Sequence, residues 1–255
     1  SLFLLSCSSD DEDNNPTIDN YGPQNVFAGD LLQGQGKLTF KYNADGLLEE
    51  VSGNGTKSTF RYPAKTKSTN NSIIMEYNDT EYPEDSYTFH LELGQNGFVK
   101  KALQIYSDNS TDTWEFGYNS DGQLNYMKRS EGDNEVTNIT YTNGNITNVE
   151  MRSDDPEEGY FSAKITYTSS KYSNGIDNKS GVMFLDDTFG IDMDEMEYVY
   201  YAGLHGHPTK KLPLQMIDDE DETENFNWTL NENGYPIKLI YAEDSGYPEK
   251  IDIKW

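Results

Sequence analysis

Phe116-Gly-Tyr-Asn-Ser-Asp-Gly-Gln-Leu124 carries the pattern from which the rest of the chain is built. Trp114, Phe116 and Tyr118 stand at every second position, the period of a strand with one packed face. Asn119-Ser-Asp-Gly122 then supplies a turn: Gly accepts positive φ without steric cost, and Asn and Asp tolerate it. Leu124 opens the returning strand. The unit is therefore a β-hairpin.

Looser copies recur along the chain. Leu38, Phe40 and Tyr42 lead into Asn43-Ala-Asp-Gly46; Tyr87, Phe89, Leu91 and Leu93 lead into Gly94-Gln-Asn-Gly97. Thr137, Ile139 and Tyr141 run to Asn143-Gly144, the clearest hairpin signal present. Phe226, Trp228 and Leu230 run to Asn231-Glu-Asn-Gly234, and Ile251, Ile253 and Trp255 form a last strand. Gly97, Gly122 and Gly144 follow one another at intervals of 25 and 22 residues, which marks a two-strand repeat. Successive hairpins make an antiparallel meander. Its free edges must be removed, so the expected fold is all-β, curled into a barrel-like or cupped sheet.

The repeat fails over 172–216. Asp192-Met-Asp-Glu-Met-Glu-Tyr-Val-Tyr-Tyr-Ala202 has acids in its first turn, Met193, Met196, Val199 and Tyr200 at helical spacing, and Gly203 beyond. This predicts one inserted helix over 192–202, packed on or plugging the sheet. The repeat resumes afterwards, so 26–255 reads as a single domain.

The 255 residues carry a net charge of −26, with 45 Asp and Glu against 19 Lys and Arg. Such a chain is a poor partner for nucleic acid, whose affinity comes from cationic side chains. The single cysteine, Cys7, excludes an internal disulfide framework and a cysteine-based zinc site. No run of 18 apolar residues is present, so no transmembrane helix is expected. The 19 Tyr and 11 Phe supply the apolar area that the low aliphatic content does not.

The first residues read as an address. Ser1-Leu-Phe-Leu-Leu-Ser6 has the character of a residual signal peptide, and Leu4-Leu-Ser-Cys7 resembles a bacterial lipobox. The resemblance makes Cys7 the lipid-attachment residue, and two or more acyl chains make a stable anchor. Ser8-Ser-Asp-Asp-Glu-Asp13 resembles the export signal of Bacteroidetes-type surface lipoproteins. Residues 7–25 then form a lipid-anchored flexible tether. The expected location is the bacterial outer membrane, at the cell surface.

No nucleophile elbow, zinc-protease helix, P-loop or dinucleotide fingerprint occurs. His205-Gly-His207 lacks an evident third ligand and reads as turn or surface. Asp186, Asp187, Asp192, Asp194 and Glu195 offer the oxygens calcium takes but lack EF-hand spacing, and acids at a helix start also answer the macrodipole. No other cofactor and no metal-ligand set is expected. Trp114, Tyr118 and Trp228 are the candidate ligand-binding residues, as a stacking platform, with packing of the sheet face as the competing reading.

The lipobox, the repeated Tyr-Asn-x-Asp-Gly hairpins and a helix leading into Gly203-Leu-His-Gly-His-Pro-Thr-Lys-Lys-Leu-Pro213 together resemble a Bacteroidetes-type lipoprotein family. That family is a domain of unknown function described as having a porin-like fold. A weaker resemblance links the hairpins to tyrosine-aspartate repeat proteins. The lipoprotein resemblance covers most of 26–255 and implies a barrel-like sheet at the cell envelope with no established activity. His205 and His207 depart from the more aromatic and basic residues expected there, so only Cys7 is carried over.

The sequence thus points to a non-catalytic envelope lipoprotein binding a glycan, peptide or partner protein. An envelope hydrolase with a carboxylate pair and an accessory subunit of an outer-membrane complex are the alternatives. The strands are short for a membrane-spanning barrel, which needs about 9–11 residues each.

Overall fold

The computed structural model describes residues 21–63, 72–155, 159–242 and 248–255. Cys7, the acids that follow it and the first part of the tether lie outside the described residues.

The wall begins with β1 (Gly34–Gln35), β2 (Leu38–Tyr42), β3 (Leu48–Gly53), β4 (Thr56–Arg61) and β5 (Ile73–Asp79). It continues through β6 (Tyr87–Leu93), β7 (Val99–Tyr106), β8 (Thr111–Tyr118) and β9 (Leu124–Arg129). A short helix, α1 (Glu131–Asn134), precedes β10 (Glu135–Thr142), β11 (Asn145–Arg152) and β12 (Tyr160–Thr166). The insertion holds β13 (Ile176–Asp177), α2 (Leu185–Phe189), α3 (Glu197–Tyr201) and β14 (Lys211–Leu212). The wall resumes with β15 (Gln215–Asp218), β16 (Thr223–Asn225), β17 (Asn227–Leu230), β18 (Pro236–Ala242) and β19 (Pro248–Lys254).

Apart from β13 and β14, which pair with each other, the strands form one 17-stranded antiparallel sheet that curls nearly into a closed barrel. The ends meet through β1, whose Gly34 pairs with Lys254 of β19 on one side and Thr39 of β2 on the other. The terminal alternation of Ile251 and Ile253 is what seats β19 at this seam.

The turns follow the chemistry read from the sequence. Asn119 Oδ1 accepts the N–H groups of Asp121 and Gln123, while Gly122 N–H donates to Asn119 O. Asn43 and Asn231 repeat this arrangement with Asp45 and Leu47, and with Asn233 and Tyr235. Gly46, Gly122 and Gly234 lie at φ 76°, 73° and 81°, as a three-residue hairpin loop closed by a left-handed residue requires. The acidic stretch 218–222 is a further copy: Asp218 accepts from Glu220 and Glu222, and Asp221 takes φ 63°.

The turns at Gly46, Gly97, Gly122, Gly144 and Gly234 share one end of the barrel, the turn rim, because successive antiparallel strands alternate direction. The connections 80–86, 107–110, 130–134 and 219–222 share the other end, the loop rim.

Aromatic donors then stitch neighbouring hairpins at the turn rim. Tyr62 donates to Leu48 O, Tyr118 to Val99 O, Tyr141 to Leu124 O and Tyr167 to Ile146 O, at 2.7–2.9 Å. Trp255 Nε1 does the same to Pro236 O at 2.7 Å. Each acceptor sits two residues beyond a turn glycine: Gly46, Gly97, Gly122, Gly144 and Gly234. The bulge at these turns displaces the ladder, and an aromatic from a nearby strand satisfies the carbonyl.

A sheet of this strand number encloses more space than its own side chains fill; barrels of about 16–18 strands leave a channel. Here the insertion occupies it. Phe184, Phe189, Tyr200 and Tyr201 are fully buried and share one core with Phe40, Phe89 and Trp114 of the wall. Tyr200 and Tyr201 donate to Gly181 O and Met183 O, folding the insertion onto itself. An interior gap lined by Ile139, Met183, Tyr200 and His205 measures about 10 Å³, room for about one water molecule.

The predicted helix over 192–202 is shorter in the structure. Asp194 takes φ 47°, Asp192 Oδ1 accepts its N–H, and a 3-10 turn at Asp194–Met196 leads into α3. Helical spacing of Met193 and Met196 arises from a tight turn packed against the wall, not from a continuous helix. The sequence reading also missed α2, whose five residues are too few to show a period.

Candidate functional site

The three predicted ligand-binding aromatics face inward. Trp114 on β8 is 1 % exposed; its Nε1 donates to Gln104 Oε1 at 3.0 Å, and its ring lies between Phe89 and Phe116. Tyr118, on the same strand, has its hydroxyl engaged with Val99 O at 2.7 Å. Trp228 on β17 stacks on Phe184 of the insertion and donates to Pro213 O at 2.7 Å. The stacking-platform expectation is corrected accordingly: two of the rings sit together on β8, the third lies elsewhere in the wall, and all three pack the interior. Period two placed them on one face, and that face is the filled one.

Where the wall meets the insertion, on the side toward the loop rim, lies a polar layer. Arg129 of β9 pairs with Glu135 at 3.0 Å and reaches Asp192 and Asp194 at 3.4 and 3.3 Å. Tyr241 of β18 donates to Asp187 at 2.5 Å, and Tyr87 of β6 donates to Glu195. Within the insertion, Glu197 accepts the N–H of Leu185 at 3.1 Å and so caps α2.

Asp186, Asp187, Asp192, Asp194, Glu195 and Glu197 of the insertion are spread along this layer, and Arg129 reaches two of them, Asp192 and Asp194. Partial desolvation, then the charge of neighbouring Asp192, raises Asp186 and Asp194, both still open to solvent, each to about 6. Glu197 rises to about 8, again chiefly by burial, with Asp187 and Asp186 adding to it against the Leu185 hydrogen bond. Among the described residues, no three His, Cys, Asp or Glu side chains are grouped to hold a metal ion. Asp192 and Asp194 face Arg129, Glu195 faces Tyr87, and Asp187 faces Tyr241.

The segment 203–211 crosses the turn rim as a strap. Leu204 O accepts from Val99 N, His207 N donates to Gly122 O, and Lys210 N donates to Gly144 O. Gly206 makes this crossing feasible, since at φ 86° an added Cβ would stand 2.5 Å from Gly122 O. His205 is corrected from a surface residue to a buried one. It is 2 % exposed, packs on Phe116 and lies 3.3 Å from the Tyr118 hydroxyl through Nδ1. The Tyr118 hydroxyl donates to Val99 O, which leaves its oxygen to accept from Nδ1 of His205. Burial lowers its pKa to about 3. His207 instead meets Phe98 edge-on.

The outward face of the wall is charged. Glu50 of β3 pairs with Lys41 of β2 and Lys57 of β4 at 2.7 and 2.6 Å, and these lysines hold its carboxyl down at about 2. Arg61 pairs with Glu76, and Lys101 with Glu115, across the following strands. Four connections of the loop rim, 80–86, 107–110, 130–134 and 219–222, contain acids and no Lys or Arg. Tyr82, 52 % exposed, stands among them. None of these surface features formed a motif, because the acids come from separate connections brought together only by the meander.

A porin-like protein from Bacteroides uniformis ATCC 8492 superposes with a TM-score of 0.62 at 18% identity, over 85% of this chain and 88% of that one. A porin-like protein from Bacteroides vulgatus ATCC 8482 gives a TM-score of 0.57 at 13% identity, over 86% and 92%. At these identities the likeness is one of fold. No curated protein matches the chain. A family profile does match, over residues 40–238. The chain belongs to the family described as a domain of unknown function (DUF4595) with porin-like fold.

Proposed function

We propose that this protein is a non-catalytic lipoprotein of the cell envelope, held to the outer membrane through Cys7, that recognises a partner at its loop rim. The carrying observation is that the aromatic face is filled. Trp114 and Trp228 pack against neighbours, and the insertion occupies the lumen, so recognition falls to the outside. The loop rim is the outer surface with an unbalanced charge and an exposed aromatic, Tyr82. A glycan, a peptide or a partner protein carrying cationic groups fits that chemistry.

The wall supports attachment by a lipid rather than by spanning. A membrane barrel turns an apolar band about 25 Å tall to the acyl chains and keeps its interior polar. This barrel has the reverse arrangement, with an apolar interior and ion pairs such as Lys41–Glu50–Lys57 outside.

Glycan and peptide arrays, together with capture of outer-membrane proteins, test the reading. A triple substitution of Glu81→Gln, Glu84→Gln and Glu220→Gln is expected to lower binding at least tenfold, while Lys41→Gln on the wall leaves it unchanged. Binding that survives the rim substitutions but is lost with Lys41→Gln would move the site to the wall.

A further inference from the structure

We infer that the barrel stands on the membrane with its turn rim toward the bilayer and its loop rim projecting away, so that the acidic end is the one offered to partners. This rests on the lipid-anchor reading of Cys7 and adds the orientation, which that reading leaves open.

Two independent observations carry it. The first is where the chain enters the barrel. Tyr21 is 3 % exposed and stacks on Tyr62, a donor of the turn-rim stitching. Gly22 follows against Leu47, beside the turn at Gly46, and against Gly203 at the start of the strap. The tether therefore leaves from the turn rim at a fixed point. The residues from Cys7 to Tyr21 can span at most about 50 Å. That length would let an uncharged barrel tumble, so the entry point alone does not fix the orientation.

The second is the distribution of charge along the barrel axis. At the turn rim, Lys210 lies over Gly144, Lys179 over Gly234, and Lys211 pairs with Asp177 at 2.6 Å. These lysines, with Lys171, offset all but one of Asp30, Asp45, Asp121, Asp177 and Glu232 at the same end. The loop-rim connections have no such balance. An anionic lipid surface repels the loop rim and tolerates the turn rim, within a screening length of about 8 Å at physiological salt. Entry point and charge favour the same orientation.

The test uses lipidated full-length protein on vesicles of phosphatidylethanolamine with phosphatidylglycerol. Lipidation occupies the Cys7 thiol, so a cysteine introduced elsewhere is the only free one. Ser120→Cys places a fluorophore on the turn rim and Glu220→Cys places it on the loop rim, both at exposed positions. Spin-labelled lipid headgroups are expected to quench the Ser120 site at least threefold more than the Glu220 site, with the difference shrinking in 1 M salt as the Debye length falls to about 3 Å. Equal quenching, or stronger quenching at Glu220, would overturn the orientation while leaving the anchor intact. Protein that does not sediment with the vesicles would remove the anchor itself, and the orientation with it.

Discussion

Tyr62, Tyr118, Tyr141 and Tyr167 each do something phenylalanine cannot: they close a backbone carbonyl displaced by the bulge of a neighbouring hairpin turn. This gives the tyrosine content a physical cause beyond apolar area. Burial raises the pKa of all four, keeping each hydroxyl protonated and donating. Replacing Tyr62 or Tyr167 with Phe leaves a part-buried carbonyl unpaired. The expected loss is about 1–3 kcal/mol per site in urea unfolding. Tyr82→Phe, at an exposed loop-rim position, should change stability by less than about 0.5 kcal/mol. Equal effects at buried and exposed positions would refute the stitching role.

The insertion is the element that converts a wide sheet into a packed body, and its polar layer makes the fit depend on pH. The sign follows from direction. Asp186, Asp194 and Glu197 have folded pKa values raised above their unfolded values by burial. At these three acids the folded state binds protons more tightly; they outweigh His205, whose lowered pKa acts the other way below about 6.5, so stability falls as pH rises from about 4 through about 8. Chemical denaturation should give a lower midpoint at pH 8 than at pH 5. Glu197→Gln keeps an oxygen for the Leu185 N–H, and it should raise the pH 8 midpoint while leaving pH 5 nearly unchanged. A variant that shifts both midpoints equally would mean that Glu197 acts through packing alone. This element was also the least legible in the sequence. The hairpins could be read because their determinants are local: an alternating stripe, an Asn acceptor and a Gly at positive φ. The insertion is specified by contacts with strands far away in sequence, such as Phe184 with Trp228 and Arg129 with Asp192. Hence the helix came out shorter than expected and α2 passed unnoticed. The aromatic candidates were placed on the correct face, but whether that face was filled depended on the insertion. His205 gave no sign of burial, since nothing in Gly-Leu-His-Gly-His reports the strap lying over Gly122.

At the scale of the molecule, the fold keeps the strand number of a pore and gives up the pore. The lumen holds an apolar insertion, the wall carries ion pairs outside, and the seam closes through the short β1. Such a body has two surfaces of different character at its ends, one crossed by the strap and one ringed by acids. On the proposed reading its attachment to a membrane rests on Cys7, which lies outside the described residues. Fractionation of cells expressing the complete protein tests this most directly. The wild-type protein is expected in the outer-membrane fraction, labelled by a palmitate analogue, and Cys7→Ser is expected in the soluble fraction with its fold intact by circular dichroism. A Cys7→Ser protein that stays in the membrane and resists carbonate extraction would contradict the account, because the barrel wall itself would then be the part embedded in lipid.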